Sequence, residues 1–199
     1  MSLMSFFKPM TVTESIFKNI PTLETPRLYL RRIMESDYRD MYEYSQNSEV
    51  TKYLTWYEHD NPEYTRCYLK ELQKAYKRGE FFDWGLEYKP HSKFIGTAGF
   101  TLIDEDNNSA EIGYVLNPQY QGLGLMTEAI TEILDFGFST LCFERIYARH
   151  IKGNDASAEV MKRCGMSYEG ELRNSLIVKG EYKTVMIYSI LKEEYDKSK

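Results

Sequence analysis

Gln121-Gly-Leu-Gly-Leu-Met126 lies between two contrasting patterns. Upstream, Ala110-Glu-Ile-Gly-Tyr-Val-Leu116 alternates and is rich in β-formers, which predicts a strand. Downstream, Thr127-Glu-Ala-Ile-Thr-Glu-Ile-Leu-Asp-Phe136 repeats its apolar residues at helical spacing. A glycine-punctuated turn between strand and helix exposes backbone N–H groups at the helix N-terminus. Nothing within the helix satisfies them and the helix dipole favours negative charge there, so the turn predicts an anion site, most often for phosphate. Gly122 and Gly124 lack Cβ atoms, so their amides can approach a pyrophosphate closely, and positive φ is open to them. No Lys-Ser or Lys-Thr follows, which separates the turn from a P-loop. The third glycine and the continuing β-α alternation of a Rossmann turn are also missing. Taken singly, such a turn is equally a tight connection with no ligand.

A second helix start supplies context. Asn154-Asp-Ala-Ser157 follows the strand pattern of residues 145–151 and opens a helix pattern over 155–163. Asn154 reads as an N-cap and Ser157 as a first-turn residue. Two helix starts, each after a neighbouring strand, can flank one crevice in a sheet. A ligand with a pyrophosphate and an amide-rich tail would use both.

The remaining elements follow from local signals. Arg27-Leu-Tyr-Leu-Arg-Arg-Ile33 alternates after Pro26 and predicts a first strand. Residues 36–46 and 49–54 read as helix. Asn61-Pro62 predicts a capped helix to Arg78, ended by Gly79. Residues 82–88, 94–103 and 111–116 predict an antiparallel meander joined by polar turns. A helix over 124–138 then leads into strand 145–151, which Gly153-Asn154 ends. Strands 167–178 and 182–191 flank the Lys179-Gly180 turn. The expected order is β-α-α-α-β-β-β-α-β-α-β-β, one α+β domain with a mixed sheet. Residues 1–21 read as a loosely docked N-terminal arm, 22–192 as the domain, and 193–199 as a charged tail.

The chain has 199 residues, 42% hydrophobic and 28% charged, with a formal net charge of −5. That is enough chain for one full core. No Lys/Arg block exists, which argues against direct nucleic-acid binding. No apolar run reaches the length of a membrane span, and the start lacks signal-peptide features. Cys67, Cys142 and Cys164 are odd in number and widely spaced, which predicts reduced thiols in the cytoplasm. His59, His91 and His150 make no metal-ligand spacing with them, so no metal is assigned. A Cys–His nucleophilic pair across the fold stays open as a minor alternative. Monomer and homodimer are both open.

The sequence resembles the GNAT superfamily of N-acetyltransferases, and most its Rim-type branch, the ribosomal-protein N-terminal acetyltransferases. The resemblance rests on Leu23-Glu-Thr-Pro-Arg-Leu-Tyr-Leu-Arg31, Ala110-Glu-Ile-Gly-Tyr-Val-Leu116, Gln121-Gly-Leu-Gly-Leu-Met126 with Thr127-Glu-Ala129, and Asn154-Asp-Ala-Ser157 through Gly165-Met166. These motifs stand in the family's order and cover about residues 23–191. The resemblance implies a mostly antiparallel sheet splayed in the middle, with helices on both faces. It implies acetyl-CoA as cosubstrate, with the pyrophosphate held by Gln121, Gly122, Leu123, Gly124, Leu125, Met126 and Thr127. Pantetheine would pair with the backbone of Tyr114, Val115 and Leu116, like an added strand. Asn154 and Ser157 would meet the pantetheine, and Lys162 or Arg163 the adenosine phosphates.

The implied reaction is direct attack of an amine on the thioester. It needs a neutral amine, a donor to the oxyanion and a proton for the leaving thiolate. The backbone N–H near Val115 is the implied oxyanion donor. The acid of many relatives is a tyrosine where this chain has Met161, so that role moves to Ser157, which the Rim-type branch uses; its other reading is a serine that only binds CoA. Glu111 on the central strand is the first choice of base, against the reading of a salt-bridged carboxylate. Two other family base positions fall here on Leu176 and Arg149 and are lost. His150 and Tyr114 are further alternatives, and a water chain can suffice because α-amines titrate near pH 8. The expected acceptor is a protein N-terminal amine, for instance on a ribosomal protein. A small amine (polyamine, amino sugar or amino acid) is the runner-up, and a silent CoA-binding module the reading from another class.

Overall fold

The computed structural model describes residues 12–199. Helix α1 (Val12–Lys18) leads to the short strands β1 (Leu23–Glu24) and β2 (Leu28–Arg31). Helices α2 (Tyr38–Ser45), α3 (Ser48–Thr51) and α4 (Pro62–Arg78) follow. Next come β3 (Asp83–Tyr88), β4 (Lys93–Asp104) and β5 (Ser109–Leu116), then helix α5 (Leu125–Ser139). Strand β6 (Arg145–Ile151), helix α6 (Asp155–Arg163), strands β7 (Ser167–Val178) and β8 (Glu181–Leu191), and helix α7 (Lys192–Ser198) complete the order.

Local chemistry explains most boundaries. Asn61 caps α4 by accepting from the Tyr64 N–H, Pro62 opens it, and Gly79 ends it at φ 74°. Lys179 and Gly180 both have positive φ, 51° and 83°, as a two-residue hairpin turn requires. Helix α5 buries residues around most of its circumference, including Leu125, Ala129, Ile130, Ile133 and Phe136, which marks it as a core helix. Gly137 lets it approach the sheet, since a Cβ there would lie 2.7 Å from Ile146 Cδ1.

The strands form one sheet in the order β1-β2-β3-β4-β5-β6-β8-β7. Among the described residues β5 and β6 are the one parallel pair, and they pair only from Ser109↔Arg145 to Ile112↔Ala148. Beyond that, β5 stays with β4 as far as Leu116, whereas β6 stays with β8 as far as Ile151. The expected wedge in the middle of the sheet is therefore present.

Helices cover both faces. Trp84 of β3 meets Phe136 of α5 edge-on at 5.4 Å. The next residue, Gly85, points the other way: Phe94 fills the place of its side chain, and Phe94 stacks on Tyr44 of α2. Two ties cross from α3 and the segment after it to the far half of the sheet. Lys179 in the β7–β8 turn donates to the Thr51 carbonyl at 3.1 Å, and Tyr53 donates to the Gly153 carbonyl at 3.0 Å.

Two expectations are corrected. Over residues 12–21 the segment before Thr22 is not a loosely docked arm. Phe17 is fully buried and meets Phe82, Trp84, Phe100 and Phe136 edge-on, and Trp84 Nε1 donates to the Pro21 carbonyl at 2.7 Å. Burying one such ring contributes about 2–3 kcal/mol. The charged tail is likewise a docked helix, in which Tyr195 stacks on Phe138 at 4.8 Å.

Candidate active site

Strand β5 ends at Leu116 and a short 3-10 turn at Pro118–Tyr120 delivers the chain to the glycine turn. Asn117 organises that turn: its side chain accepts from the Gln119 N–H and donates to Glu43, while its own N–H donates to the Ile95 carbonyl. Gly122 and Gly124 adopt φ of 76° and 74°, the left-handed region where a side chain costs about 1 kcal/mol. Gly124 is the N-cap of α5 and offers no side-chain oxygen to the first amides of the helix. Those amides remain as donors facing the wedge.

The turn is braced from 96 to 103 residues away. Arg27 Nη1 donates to the Leu123 carbonyl at 2.9 Å, and Arg27 Nε donates to Glu128 at 2.7 Å. Glu128 also accepts from Thr25 Oγ1 and the Arg27 N–H. Burial works to raise the Glu128 carboxyl, but the donors from Thr25 and Arg27 hold it below its ordinary range. This gives Thr25-Pro-Arg27 a physical role: it fixes the loop to the first turn of α5. Sequence reading gave no sign of it.

The wedge opens into a cavity of about 570 Å³. That volume suits a medium-sized ligand. One wall is Tyr114, Val115 and Leu116 of β5. The glycine turn contributes Gln121, Gly122 and Gly124, and α5 contributes Leu125, Met126 and Thr127. Asn154, Ser157 and Arg163 come from the start and end of α6, and Asn47, Val50 and Tyr53 from around α3. The cavity thus passes from helices on one face of the sheet to a helix on the other.

Asn154 accepts from the Ser157 N–H at 3.4 Å through Oδ1, which caps α6 and leaves Nδ2 free among the described residues. Ser157 Oγ donates to the Tyr114 hydroxyl at 2.9 Å, and that hydroxyl donates to the Ser157 carbonyl at 2.9 Å. Burial pushes the Tyr114 phenol well above its ordinary range, so it stays a neutral donor. The pair holds a serine hydroxyl in the wedge beside the β5 backbone.

The family description Acetyltransferase (GNAT) domain matches residues 27–167. The chain belongs to the GNAT acetyltransferase family. It is 31% identical over 172 residues to the uncharacterised N-acetyltransferase YoaA of Bacillus subtilis (strain 168), covering 86% of this chain and 97% of that protein. It is 32% identical over 174 residues to the uncharacterised N-acetyltransferase p20 of Bacillus licheniformis, covering 87% and 98%. A GNAT-family acetyltransferase structure from Bacillus anthracis superposes with a TM-score of 0.78 at 25% identity, covering 87% of this chain and 99% of that one. This GNAT protein is accordingly an N-acetyltransferase.

Not every anticipated residue reaches the cavity. Leu123 is half exposed and turned away, offering its carbonyl to Arg27. Lys162 does not border the cavity but pairs at 2.9 Å with Glu159, which does, and its neighbour Arg163 borders it too. Glu111 is buried outside the cavity wall, and the Arg149 guanidinium holds both its oxygens at 2.8–2.9 Å. It forms half of a fixed ion pair, not a free carboxylate. Met161, at the tyrosine position of many relatives, is core. No cysteine bonds to a histidine among the described residues, and burial pushes the Cys164 thiol up to about 11, which leaves it protonated at neutral pH. His150 is buried against Tyr188 with Nε2 unpartnered and does not border the cavity.

Proposed function

We propose that this GNAT enzyme moves an acetyl group from acetyl-CoA directly to a protein N-terminal α-amine. The observation that carries the reading is the single cavity joining the free amides at residues 122–127 to the Ser157 hydroxyl across parted strands. Amides at the start of α5 hold the pyrophosphate. Pantetheine lies along residues 114–116, where β5 has no partner on its wedge side, with Asn154 Nδ2 donating to one of its amides. Arg163, with Lys162 nearby, meets the adenosine phosphates.

The amine attacks the thioester carbonyl, and the backbone N–H near Val115 donates to the developing oxyanion. A thiol titrates near 8.5, far below a serine hydroxyl, so Ser157 serves as a relay. It gives its proton to sulfur while taking one from the attacking nitrogen. Tyr114 keeps the hydroxyl at the wedge.

The acceptor assignment draws on relatives. The [ribosomal protein uS5]-alanine N-acetyltransferase of Escherichia coli (strain K12) is 27% identical over 174 residues, covering 83% of this chain and 89% of that protein. The spermidine N(1)-acetyltransferase of the same organism is 23% identical over 174 residues, covering 83% and 87%. The second keeps a small polyamine as the alternative acceptor. We place the enzyme in the cytoplasm, in keeping with three free thiols and with the absence, among the described residues, of any helix long and apolar enough to cross a membrane.

The test is thiol release from acetyl-CoA with peptides beginning Ala or Ser, beside polyamines and aminoglycosides. Turnover with the peptides supports the reading, and turnover with polyamines alone moves the assignment to the small-amine class. Acetyl-CoA binding without turnover on any amine makes the protein a silent CoA-binding module.

A further inference from the structure

The Glu111–Arg149 pair leaves the acceptor side of the wedge without a free carboxylate at the position sequence reading favoured. A free one lies two strands away. Asp83 opens β3 and faces the same side of the sheet as Gly85, the side covered by α2 and α4. Its cross-strand partner on β4 is Gly99, and the partner of Gly99 on β5 is Gly113. Directly opposed residues share a face. One row therefore runs Asp83, Gly99, Gly113 and ends where β5 and β6 part, one residue past Ile112↔Ala148.

Gly99 leaves room for the carboxylate, and beyond it the Thr101 side chain takes the place that one on Gly113 would fill. A Cβ on Gly99 would lie 2.5 Å from Asp83 Oδ1, so the carboxylate leans across β4 into the space a side chain would fill. Leaning that way, it points toward β5. Adjacent strands are about 4.8 Å apart, which puts the carboxylate roughly 5–10 Å from the parting of β5 and β6. That is the span of one bridging water or of a small acceptor group.

Asp83 is also without a partner. No hydrogen bond or ion pair engages its carboxylate among the described residues. Asp83 is only partly buried and keeps access to solvent. The titratable groups facing it are Tyr44 from α2 and Tyr68 and Tyr76 from α4, all neutral phenols. The ionic groups along the same face are closed among themselves: Arg31 with Asp37 and Glu87, and Arg149 with Glu111. Asp83 thus has no counter-charge. Desolvation alone raises it from 3.8 to about 7.

We propose that Asp83 takes the proton of the acceptor ammonium, directly or through one water, before the amine attacks. The inference rests on the acyl-transfer reading above. The ammonium passes one proton to the carboxylate, and the neutral nitrogen forms the C–N bond as the C–S bond breaks. The second nitrogen proton leaves to sulfur through Ser157, and protonated Asp83 returns its proton to solvent. The sum is one ammonium and one thioester giving one amide, one thiol and one solvent proton.

The test compares wild type with Asp83→Asn in steady-state kinetics from pH 6 to 9.5, using an acceptor that the wild-type enzyme acetylates. At pH 7 the variant should lose roughly tenfold or more in kcat. Acceptor KM should change by less than about threefold. The gap should close toward pH 9.5, where an α-amine titrating near 8 is already neutral without help. Wild-type kcat should fall below pH 7, whereas the variant should follow the titration of the amine instead. Asp83→Ser, which removes the carboxylate and leaves room for water, should give the same pH profile. A gap that stays constant with pH, a loss confined to KM, or unchanged kinetics overturns the inference. If the wild-type enzyme acetylates no amine, the acyl-transfer reading itself fails, and that result is separate from a failure of Asp83.

Discussion

Asp83→Asn should stabilise this enzyme more at pH 8 than at pH 5, and the sign follows from the folded environment. The carboxyl goes from 3.8 when free to about 7 when folded, through desolvation. Below pH 3.8 both states are protonated and the group contributes nothing. As pH rises through the next three units, the unfolded chain releases its proton while the folded one keeps it, so stability falls. Each unit is about 1.4 kcal/mol, giving a penalty of about 4 kcal/mol above pH 7. Roughly a third has set in by pH 5. Allowing for the residual solvent access of Asp83, about 2 kcal/mol remains between pH 5 and pH 8. Asparagine carries no such dependence, and any cost of burying its amide is the same at both values. Urea unfolding of both proteins at pH 5 and pH 8 reads the difference directly. The variant-minus-wild-type stability should grow by about 2 kcal/mol with pH, equivalent to several degrees in Tm. A difference that is equal at the two pH values would refute the buried, unpartnered carboxylate.

Three further outcomes follow from the site. Gly124→Glu should abolish acetyl-CoA binding in calorimetry, because a carboxylate would occupy the anion position and positive φ strains the residue; unchanged affinity would displace the pyrophosphate from this turn. Ser157→Ala should lower kcat by about tenfold or more and acetyl-CoA KM by little, and equal kcat in both proteins would remove the serine from proton relay. Arg27→Ala should raise acetyl-CoA Kd several-fold with little change in kcat, since it frees the Leu123 carbonyl and one side of Glu128; an unchanged Kd would show that the loop holds its shape without the brace.

Much of the fold was legible because its punctuation is local. Asn61-Pro62, Gly79 and Lys179-Gly180 act through their own dihedrals and nearest amides, so the sequence displays them. Phe17 and Tyr195 were not legible. Their burial depends on Trp84, Phe136 and Phe138, which only the folded sheet and α5 bring to them. The glycine turn was readable from its place between a strand and a helix, but its brace was not, because Arg27 and Glu128 lie 101 residues apart in the chain. On α6 the sequence left Lys162 and Arg163 both open, and Arg163 is the one that borders the cavity, because a turn of about 100° separates neighbours on a helix and spacing alone does not orient them. Glu111 read as available because its captor, Arg149, is 38 residues away. Asp83 carries no local signal of its own within residues 82–88. The usable signal was a glycine on the facing strand, and it needed the register to be seen.

The incomplete pairing of β5 with β6 has a kinetic consequence. On the proposed reaction, a gap that pierces the sheet would give the donor and the acceptor separate doors, so that neither has to leave before the other arrives. Both molecules can occupy the protein at once, and the acetyl group needs no temporary lodging on a side chain. Initial-rate lines drawn against either reactant should then converge, not run parallel.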